Sequence, residues 1–445
     1  MHHGVVADLA VHPAPSAEPP AAPPTDAPGP PAGLRLAVSR WWAHVLGWAP
    51  WQQALGAYVA SRLVAGVIIE GAARLLQNPA GVGDLNPDYL DMTVIWDGQW
   101  YRQIVERGYP DGLPVTDLGQ VDYNSWAFFP LFPALVKAVM TTGLPFSVAA
   151  SVVNLALGAA ASVVLWHLFV ARAPGAHVGR ARSRLGVLAV GTWCLLPPAA
   201  VLQVAYTEAL AALLLAAALL LLVRRRYLPA VPVVLLLGLT RAVAAPLLVV
   251  IVWHAVARWR STTPPTRREW RRLAALGAAT GVSTLLWPAV VGLATGVPTA
   301  FFQTQAVWGQ EPGRGPFVPW FTWAHDHAGL VGVLLLLGAV AALVSVVAGP
   351  HAAWLSSELR VWAVVYPVYL LAVVRPITSM WRFLLLDLPV GAVLASMAVR
   401  GTSLGRPMSR HWRWRVAATL VAAVVAMSWW VGVLLTRTPW NDSPP

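Results

Sequence analysis

The sequence predicts an all-helical, polytopic membrane protein with about twelve transmembrane or membrane-embedded helices. Its 445 residues are 57% hydrophobic and only 11% charged, whereas ordinary soluble domains carry roughly 25% charged residues. Long apolar runs recur along the chain, among them 210–223, 330–347 and 416–435. A helix of about 20 apolar residues is long enough to cross the hydrocarbon of a bilayer. The composition therefore excludes an ordinary soluble fold.

The charge pattern also points to a membrane protein. A net charge of +12 would suit a nucleic-acid-binding protein, but the arginines fall in short clusters between apolar runs. This arrangement is typical of cytoplasmic loops, so we expect the lipid bilayer as a partner and no nucleic acid. The single cysteine, Cys194, lies within an apolar segment, which excludes an intrachain disulfide and predicts a thiol packed in the core.

The chain divides into a short tail and one large domain. Residues 1–34 are rich in Pro and Ala and have no apolar period, which predicts a disordered cytoplasmic tail. They lack the basic start and apolar centre of a cleaved signal peptide. Residues 35–445 are predicted to form the transmembrane domain.

The apolar runs give the positions of the predicted helices. Residues 128–142 are short and interrupted by proline, so we expect them not to cross the membrane alone. Residues 228–257 are broken at Thr240-Arg241 and are predicted to form two short helices. The predicted helices span 51–76, 128–142, 146–171, 185–202, 207–223, 228–257 as a broken pair, 273–295, 330–347, 361–374, 383–399 and 416–435.

The distribution of charge predicts the orientation in the cell membrane. The segment 77–127 holds eight of the 19 acidic residues but only two basic ones. Twenty-one of the 31 basic residues fall in segments that alternate with it across the predicted helices. Because positive loops stay in the cytoplasm, we expect the N-terminus inside, and 77–127 and a second loop, 296–328, outside.

The segment Trp-Asp-Gly-Gln-Trp-Tyr at 96–101 places a carboxylate among aromatic side chains at the membrane surface. Asp97 is in a position to accept a proton from a hydroxyl group, and Trp96, Trp100 and Tyr101 offer faces on which a sugar ring can stack. The alternative interpretation is an interfacial aromatic belt with a solvated aspartate.

Three further ionisable residues interrupt apolar segments. Glu208 begins a helix after Tyr206-Thr207, where it can also serve as a favourable N-terminal charge. Arg241 lies between two short apolar helices, where an arginine suits phosphate, and the alternative is a buried pair with Glu208. Arg382 lies at the outer end of a helix; for it and for Arg375 the alternative is snorkelling to the headgroups.

Metal and nucleotide chemistry have little support in the sequence. His325 and His327 flank Asp326 in the second exterior loop, which is a weak metal-binding pattern. No Gly-rich phosphate loop with a lysine is present, and we find no soluble nucleotide-binding domain. We therefore predict no cofactor, leave a divalent-metal requirement open, and expect any sugar donor at the exterior face to arrive on a lipid.

Taken together, the motifs resemble the GPI mannosyltransferase II (PIG-V type) family and its bacterial relatives, within the GT-C class of membrane glycosyltransferases. The resemblance covers about residues 55–389. It rests on Trp96-Asp97-x-x-Trp100-Tyr101, Gly108-Tyr109, Ala127-Phe128-Phe129-Pro130-Leu131-x-Pro133, Tyr206-Thr207-Glu208, Thr240-Arg241, and Ser379-x-x-Arg382-Phe383 with Pro389.

This resemblance implies a GT-C-like fold with a catalytic exterior loop at 77–127. It implies a polyprenyl- or dolichyl-phosphate mannose donor, inversion at the anomeric carbon and Asp97 as the general base. Arg241 and Arg382 would neutralise the departing phosphate. The acceptor stays open between a glycolipid, a polysaccharide and a protein, because the bacterial relatives make no GPI anchor.

A transporter or flippase of a lipid-linked sugar is the alternative function. It would use the same arginines for phosphate and the same aromatic residues for the sugar. Such a protein also needs an inside-facing site, and the cytoplasmic loops carry no acidic and aromatic cluster to match 77–127. The absence of an equal-length internal repeat also disfavours an inverted-repeat transporter.

Overall fold

Helices form the regular structure of the chain in a computed structural model that describes residues 47–78, 84–171, 179–310, 314–400 and 410–438. Within these ranges there is no strand, only an isolated bridge between Val115 and Val121. The predicted tail 1–34 lies outside the described residues. The all-helical class is confirmed.

The helices are numbered in chain order. Short 3-10 turns span Ser125–Ala127, Pro197–Gln203 and Leu384–Leu386, and a π-helical turn spans Val431–Leu435. The α-helices are α1 Pro50–Leu75, α2 Tyr89–Met92, α3 Asp97–Arg107, α4 Leu131–Met140, α5 Phe146–Val170, α6 Arg180–Cys194, α7 Glu208–Val223, α8 Tyr227–Gly238, α9 Ala244–Trp259, α10 Arg267–Thr295, α11 Ala300–Val307, α12 Val318–Ala348, α13 Ser357–Val373, α14 Met380–Phe383, α15 Pro389–Arg400 and α16 Trp412–Trp430.

The length and apolar character of the helices fit a polytopic membrane protein. Among the described residues, five helices are long and apolar enough to cross a bilayer: α1, α5, α10, α12, and α16 with its π-helical turn. Two bent pairs raise the number to seven if each is one span: α6 with Pro197–Gln203, and α14 with α15. The multi-span membrane class is confirmed, whereas the count of about twelve helices stays a prediction.

The two bent pairs expose backbone carbonyls that other helices satisfy. The chain turns by 82° after Cys194 and by 80° before Pro389. Arg62 of α1 donates to the carbonyls of Cys194 and Ala199 at 2.6 and 2.5 Å. The indole of Trp193 donates to the carbonyl of Leu385 at 3.0 Å. Because a buried carbonyl without a donor is costly, these contacts make the bends stable parts of the fold.

The two segments that were predicted to be exterior loops contain more helix than the sequence predicted. The segment 77–127 contains α2 and α3, and the segment 296–328 contains α11 and the beginning of α12. Helix α12 begins at Val318 rather than at residue 330, with a break at Ala328 and Gly329, where φ of Gly329 is +57°. The polar residues of this first part, His325 to His327, made it resemble a loop in the sequence.

Helix α7 is the most deeply buried element and positions the site. Nearly all of its side chains are buried, including the alanines Ala211, Ala212 and Ala216. Small side chains let membrane helices approach closely, and α5, α8 and the 3-10 turn Pro197–Gln203 pack around α7. Its first residue is Glu208, so the charge at this helix start is held in the centre of the molecule.

Candidate functional site

A cavity of about 720 Å³ lies where the start of α3 meets the turn between α8 and α9 and the ends of α13 and α14. Its walls combine charged and aromatic side chains, which come from segments far apart in the chain. The lining includes Trp96, Asp97, Trp100, Tyr101, Thr207, Arg241, Trp308, Arg375, Arg382 and Arg437.

Asp97 is positioned by a strained turn and a close backbone contact. Trp96, directly before α3, has a φ of +58°, which is rare for a residue other than glycine. Its indole Nε1 donates to the carbonyl of Leu435 at 2.7 Å. Thr93 accepts a hydrogen bond from the backbone of Ala205 at 2.7 Å. These contacts dock the loop against the π-helical turn Val431–Leu435 and the residues just before α7. Asp97 begins α3, where the helix dipole favours a carboxylate.

Two carboxylates and two arginines form one buried charge cluster. Nη1 of Arg382 lies 2.5 Å from Oδ2 of Asp97 and 3.6 Å from Oε1 of Glu208. Nη1 of Arg241 lies 2.7 Å from the same Glu208 oxygen and 3.2 Å from Oγ1 of Thr207. Arg382 is 5% exposed and Glu208 is 0% exposed. Buried charges are stable only when paired, so these four side chains position one another.

Aromatic rings hold the two guanidinium groups from the other side. The guanidinium carbon of Arg241 lies 4.4 Å from the Phe383 ring centroid. That of Arg382 lies 4.8 Å from Tyr206 and 5.2 Å from Phe383. Cations bind to ring faces at such distances. Each arginine is therefore fixed between a carboxylate and an aromatic ring.

The cluster has hydrogen-bonding capacity that the described residues leave unused. Oε2 of Glu208 and Nε of Arg382 are buried and have no hydrogen-bond partner among them. Buried polar atoms are normally paired in folded proteins. Both unpaired atoms belong to the same charge cluster, so its hydrogen-bonding capacity is only partly used within the described residues.

An aromatic wall faces the charge cluster. Trp100 stacks on Phe128 with centroids 5.7 Å apart and meets Trp308 edge-on at 5.2 Å. Tyr101 is buried, with its ring edge-on to those of Phe128 and Phe132. Such pairs fix ring orientation, so the wall offers a preformed apolar face.

A second aromatic group supports this wall without lining the cavity. Tyr109 stacks on Trp126 at 4.6 Å, and its hydroxyl donates to the carbonyl of Phe128 at 2.9 Å. Burial raises the pKa of the Tyr109 phenol, so this group keeps its proton and remains a donor. The Gly108-Tyr109 pair therefore holds the Phe128 segment in place.

The structure brings the residues singled out in the sequence to one place. Asp97, Trp96, Trp100, Tyr101, Arg241 and Arg382 line the cavity, and Glu208 is bonded to two of them. The buried Arg241–Glu208 pair, which was the alternative interpretation of Arg241, is present. It coexists with exposure of Arg241 to the cavity, so the pairing does not remove this arginine from the site.

Sequence reasoning missed several lining residues, among them Trp308, Arg375 and Arg437. Trp308 and Arg437 carried no motif, and Arg375 was interpreted only as a possible snorkelling residue. Arg375 packs against Gly309, where a Cβ atom would lie 2.4 Å from the arginine Nε and where φ is +91°. The Trp308-Gly309 pair lies in the segment 296–328, for which the sequence analysis made no prediction of such a contact.

The weak metal-binding pattern forms no ligand cluster. No group of three or more His, Cys, Asp or Glu side chains suited to a metal occurs in the described part of the chain. His325 and Asp326 are exposed and 3.9 Å apart. His327 instead contacts the carbonyl of Trp323 at 2.8 Å.

The comparisons with known proteins concern structure alone. No protein-family profile and no curated protein sequence matches the chain. A crystal structure of the Archaeoglobus fulgidus oligosaccharyltransferase, tethered with an acceptor peptide, is 12% identical with a TM-score of 0.45, covering 86% of this chain and 56% of that one. The chain thus spans little more than half of that enzyme.

A second solved structure is similar at the same level. ArnT from Cupriavidus metallidurans, bound to undecaprenyl phosphate, is 16% identical with a TM-score of 0.42. The match covers 84% of this chain and 75% of that one. At TM-scores below 0.5, neither similarity identifies a shared reaction. The chain is a multi-span helical membrane protein with a charged, aromatic cavity where several of its described helices end.

Proposed function

We propose that the chain is a glycosyltransferase that moves a sugar from a polyprenyl-phosphate donor to an extracytoplasmic acceptor. The observation that carries the proposal is the cluster of Asp97, Glu208, Arg241 and Arg382 in one cavity with an aromatic wall. The proposal includes inversion at the anomeric carbon and mannose as the sugar, as the family resemblance implies.

The arginines of the cavity support a phosphate-bearing donor. The described lining residues include four arginines, Arg241, Arg375, Arg382 and Arg437, and one carboxylate, that of Asp97. Arg241 and Arg382 also pair with the buried Glu208. A phosphate monoester carries about 1.5 to 2 negative charges at pH 7. The cavity therefore suits the phosphate that leaves when the sugar is transferred.

Asp97 is the proposed general base. It accepts the proton of the acceptor hydroxyl while that oxygen forms a bond to the anomeric carbon. On the opposite face the bond from the anomeric carbon to the phosphate oxygen breaks, and the electron pair leaves with the phosphate. Attack opposite to departure inverts the configuration. Arg241 and Arg382 stabilise the charge that develops on the phosphate.

Because Asp97 is paired with Arg382, the donor phosphate has a second role, which is to release Asp97 from this arginine. At 2.5 Å the carboxylate of Asp97 is engaged by this arginine. A donor phosphate offers Arg382 an alternative acceptor, which leaves Asp97 available to the acceptor hydroxyl. Binding of the donor before the acceptor follows from this exchange.

Substitution of the proposed base tests the reaction. The purified full-length chain in nanodiscs, given polyprenyl-phosphate mannose and membranes of a strain lacking the gene, should transfer mannose. Asp97→Asn should reduce turnover by at least about 100-fold, because general-base catalysis contributes about that much. Asp117→Asn is the matched control: Asp117 is an exposed aspartate of the same loop, so its turnover should stay unchanged.

Two outcomes would contradict the proposal. Unchanged turnover in Asp97→Asn, with the protein folded, would remove Asp97 from the mechanism. Movement of labelled donor lipid between leaflets without any transferred product would support the transporter or flippase instead. Replacing mannose by glucose in the donor tests the sugar separately from the reaction.

A further inference from the structure

A second cavity, of about 490 Å³, lies at the opposite end of the helices that form the first one. Helix α7 runs from Glu208 at the charge cluster to Val223 in the wall of the second cavity. Helix α13 runs the other way, from Ser357 in the second cavity to Val373 in the first. At 1.5 Å per residue, these helices separate the cavities by roughly 22 Å.

The two cavities are not one channel. Between them, α9 contributes the buried side chains of Leu247 and Val250, and α13 contributes those of Leu359 and Trp362. Apolar packing therefore separates the two spaces in the structure. The second cavity is a separate site.

Three arginines from different segments line the second cavity. Arg182 donates to the carbonyls of Val170 and Ala171 at 3.1 Å. Arg258 is paired with Glu269 at 3.0 Å. These contacts fix two guanidinium groups in the wall.

The third arginine, Arg225, is exposed where α7 ends and lines the cavity. Its guanidinium makes no hydrogen bond or ion pair with any described residue, and its backbone is held at a φ of +56°. A left-handed conformation is unfavourable for arginine. Here it closes the C-terminal turn of α7, in which the backbone N–H of Arg226 donates to the carbonyl of Leu221 at 2.8 Å.

Unused donors also line this cavity. Trp354 is 7% exposed, and its indole Nε1 has no hydrogen-bond partner within the described ranges. Ser356 and Ser357, at the start of α13, line the same wall, where backbone N–H groups at a helix N-terminus favour an anion. The one lining carboxylate, Glu358, is already paired with His254 at 2.7 Å.

We propose that the second cavity is a binding site for a phosphoryl group, carried by an anionic phospholipid headgroup or present as free phosphate. Arg225 and the Trp354 N–H supply the unused donors, and Arg182 and Arg258 supply the fixed positive charge. The cavity lies beside Arg224 to Arg226 and the basic start of α10, a pattern that attracts anionic lipid surfaces.

The test compares two neighbouring arginines in the full-length protein. The protein is held in nanodiscs of phosphatidylcholine, and thermal unfolding is followed as inorganic phosphate or a short-chain phosphatidic acid is added. The wild type should be stabilised with a saturable dependence on concentration. Arg225→Gln should weaken this binding at least about tenfold. Arg226→Gln, an exposed neighbour that does not line the cavity, should bind like the wild type.

A second variant tests the indole donor. Trp354→Phe keeps an aromatic ring under the Arg182 guanidinium, which lies 5.6 Å from the indole, but removes the N–H. It should weaken binding while the protein remains folded. These measurements follow binding and not turnover. Their outcome is therefore independent of whether the proposed glycosyltransferase reaction is correct.

The outcomes separate the sources of the phosphoryl group. Stabilisation by phosphatidic acid alone assigns the site to a lipid headgroup, and stabilisation by both probes assigns it to phosphate itself. Absence of a saturable effect in the wild type would overturn the proposal. An equal loss of probe binding in Arg225→Gln and in Arg226→Gln would also overturn the proposal, because the general positive charge of the surface would then explain the binding.

Discussion

Glu208 holds two guanidinium groups with a single carboxylate oxygen. Its Oε1 lies 2.7 Å from Nη1 of Arg241 and 3.6 Å from Nη1 of Arg382. The residue is fully buried at the start of the most buried helix. Removing this charge would leave both arginines with Asp97 as the only remaining carboxylate of the cluster.

We predict that Glu208→Gln destabilises the protein far more than loss of a surface ion pair. Breaking a buried charge pair costs about 3–5 kcal/mol. Thermal unfolding of the purified protein should show a clear fall in Tm. The change preserves side-chain shape, so the effect reports charge.

Glu106→Gln is the control for this prediction. Glu106 pairs with Arg102 at 2.9 Å, but the two side chains are 45% and 57% exposed. An exposed pair contributes less than about 1 kcal/mol, so this variant should unfold almost like the wild type. Equal Tm values for Glu208→Gln and Glu106→Gln would show that the buried cluster adds no stability.

The sequence allowed some residues of the cavity to be predicted as site residues and gave no indication of others. Arg241 and Arg382 could be singled out because an ionisable residue in an apolar segment needs a reason to be there. Asp97 stood among aromatic residues in an acidic loop. Arg375, Arg437 and Trp308 have no such local signal, because only the tertiary fold brings them to the cavity.

At the scale of helices, the bent pair α14–α15 depends on close packing against α6. A Cβ atom at Gly391 would lie 2.7 Å from Cβ of Trp193 and 2.9 Å from the carbonyl oxygen of Ala189. Backbone atoms cannot move aside as the end of a flexible side chain can. The glycine therefore sets the distance between these two helices.

We predict that Gly391→Ala destabilises the protein by about 1–3 kcal/mol, the usual effect of overpacking. Because α14 carries Arg382, mannose transfer should fall as well. The measurements are thermal unfolding and turnover in nanodiscs.

Gly338→Ala serves as the matched substitution. Gly338 lies in a membrane-spanning helix with nothing within 4 Å of its Cβ position. Alanine is favoured over glycine in a helix by roughly 0.5–1 kcal/mol, so stability should hold or rise. If Gly338→Ala lost as much stability as Gly391→Ala, the added methyl group itself, and not the close packing at Gly391, would explain the effect.

Two of the helices with long apolar runs were predicted nearly to the residue. The predicted helix 51–76 is Pro50–Leu75, and the predicted helix 146–171 is Phe146–Val170. Helix α3 was missed because its buried residues, such as Tyr101 and Ile104, recur at helical spacing within a polar segment. The apolar signal there is too short to stand out against the acidic residues around it.

At the scale of the whole molecule, composition was enough to predict the class. Eleven per cent charged residues and repeated apolar runs leave few folds other than a helical membrane bundle. The side of the membrane on which each loop lies stays a prediction from the positive-inside rule, because the helices are compatible with either orientation.

Labelling of introduced cysteines in intact cells tests the orientation. We predict that Asp117→Cys, in the loop 77–127, reacts with a membrane-impermeant maleimide, whereas Arg268→Cys, at the start of α10, reacts only after permeabilisation. Both positions are exposed. The native Cys194 is fully buried, so it should give no background.

The opposite labelling pattern would place Asp97 on the cytoplasmic side. The wild-type chain, with Cys194 alone, is the control in the same cells. Labelling of both introduced cysteines in intact cells would mean that the membrane is leaky or that the chain inserts in two orientations.

The indole of Trp96 donates to the carbonyl of Leu435, 339 positions further along the chain. Beside it, the backbone of Arg437 donates to Oε1 of Gln77, and the carbonyl of Arg437 accepts from Asn78. The segment after α16 therefore holds the loop that carries Asp97 in position through these hydrogen bonds. Affinity tags and reporter fusions should be attached at the opposite terminus, because one joined close behind Arg437 would disturb these hydrogen bonds.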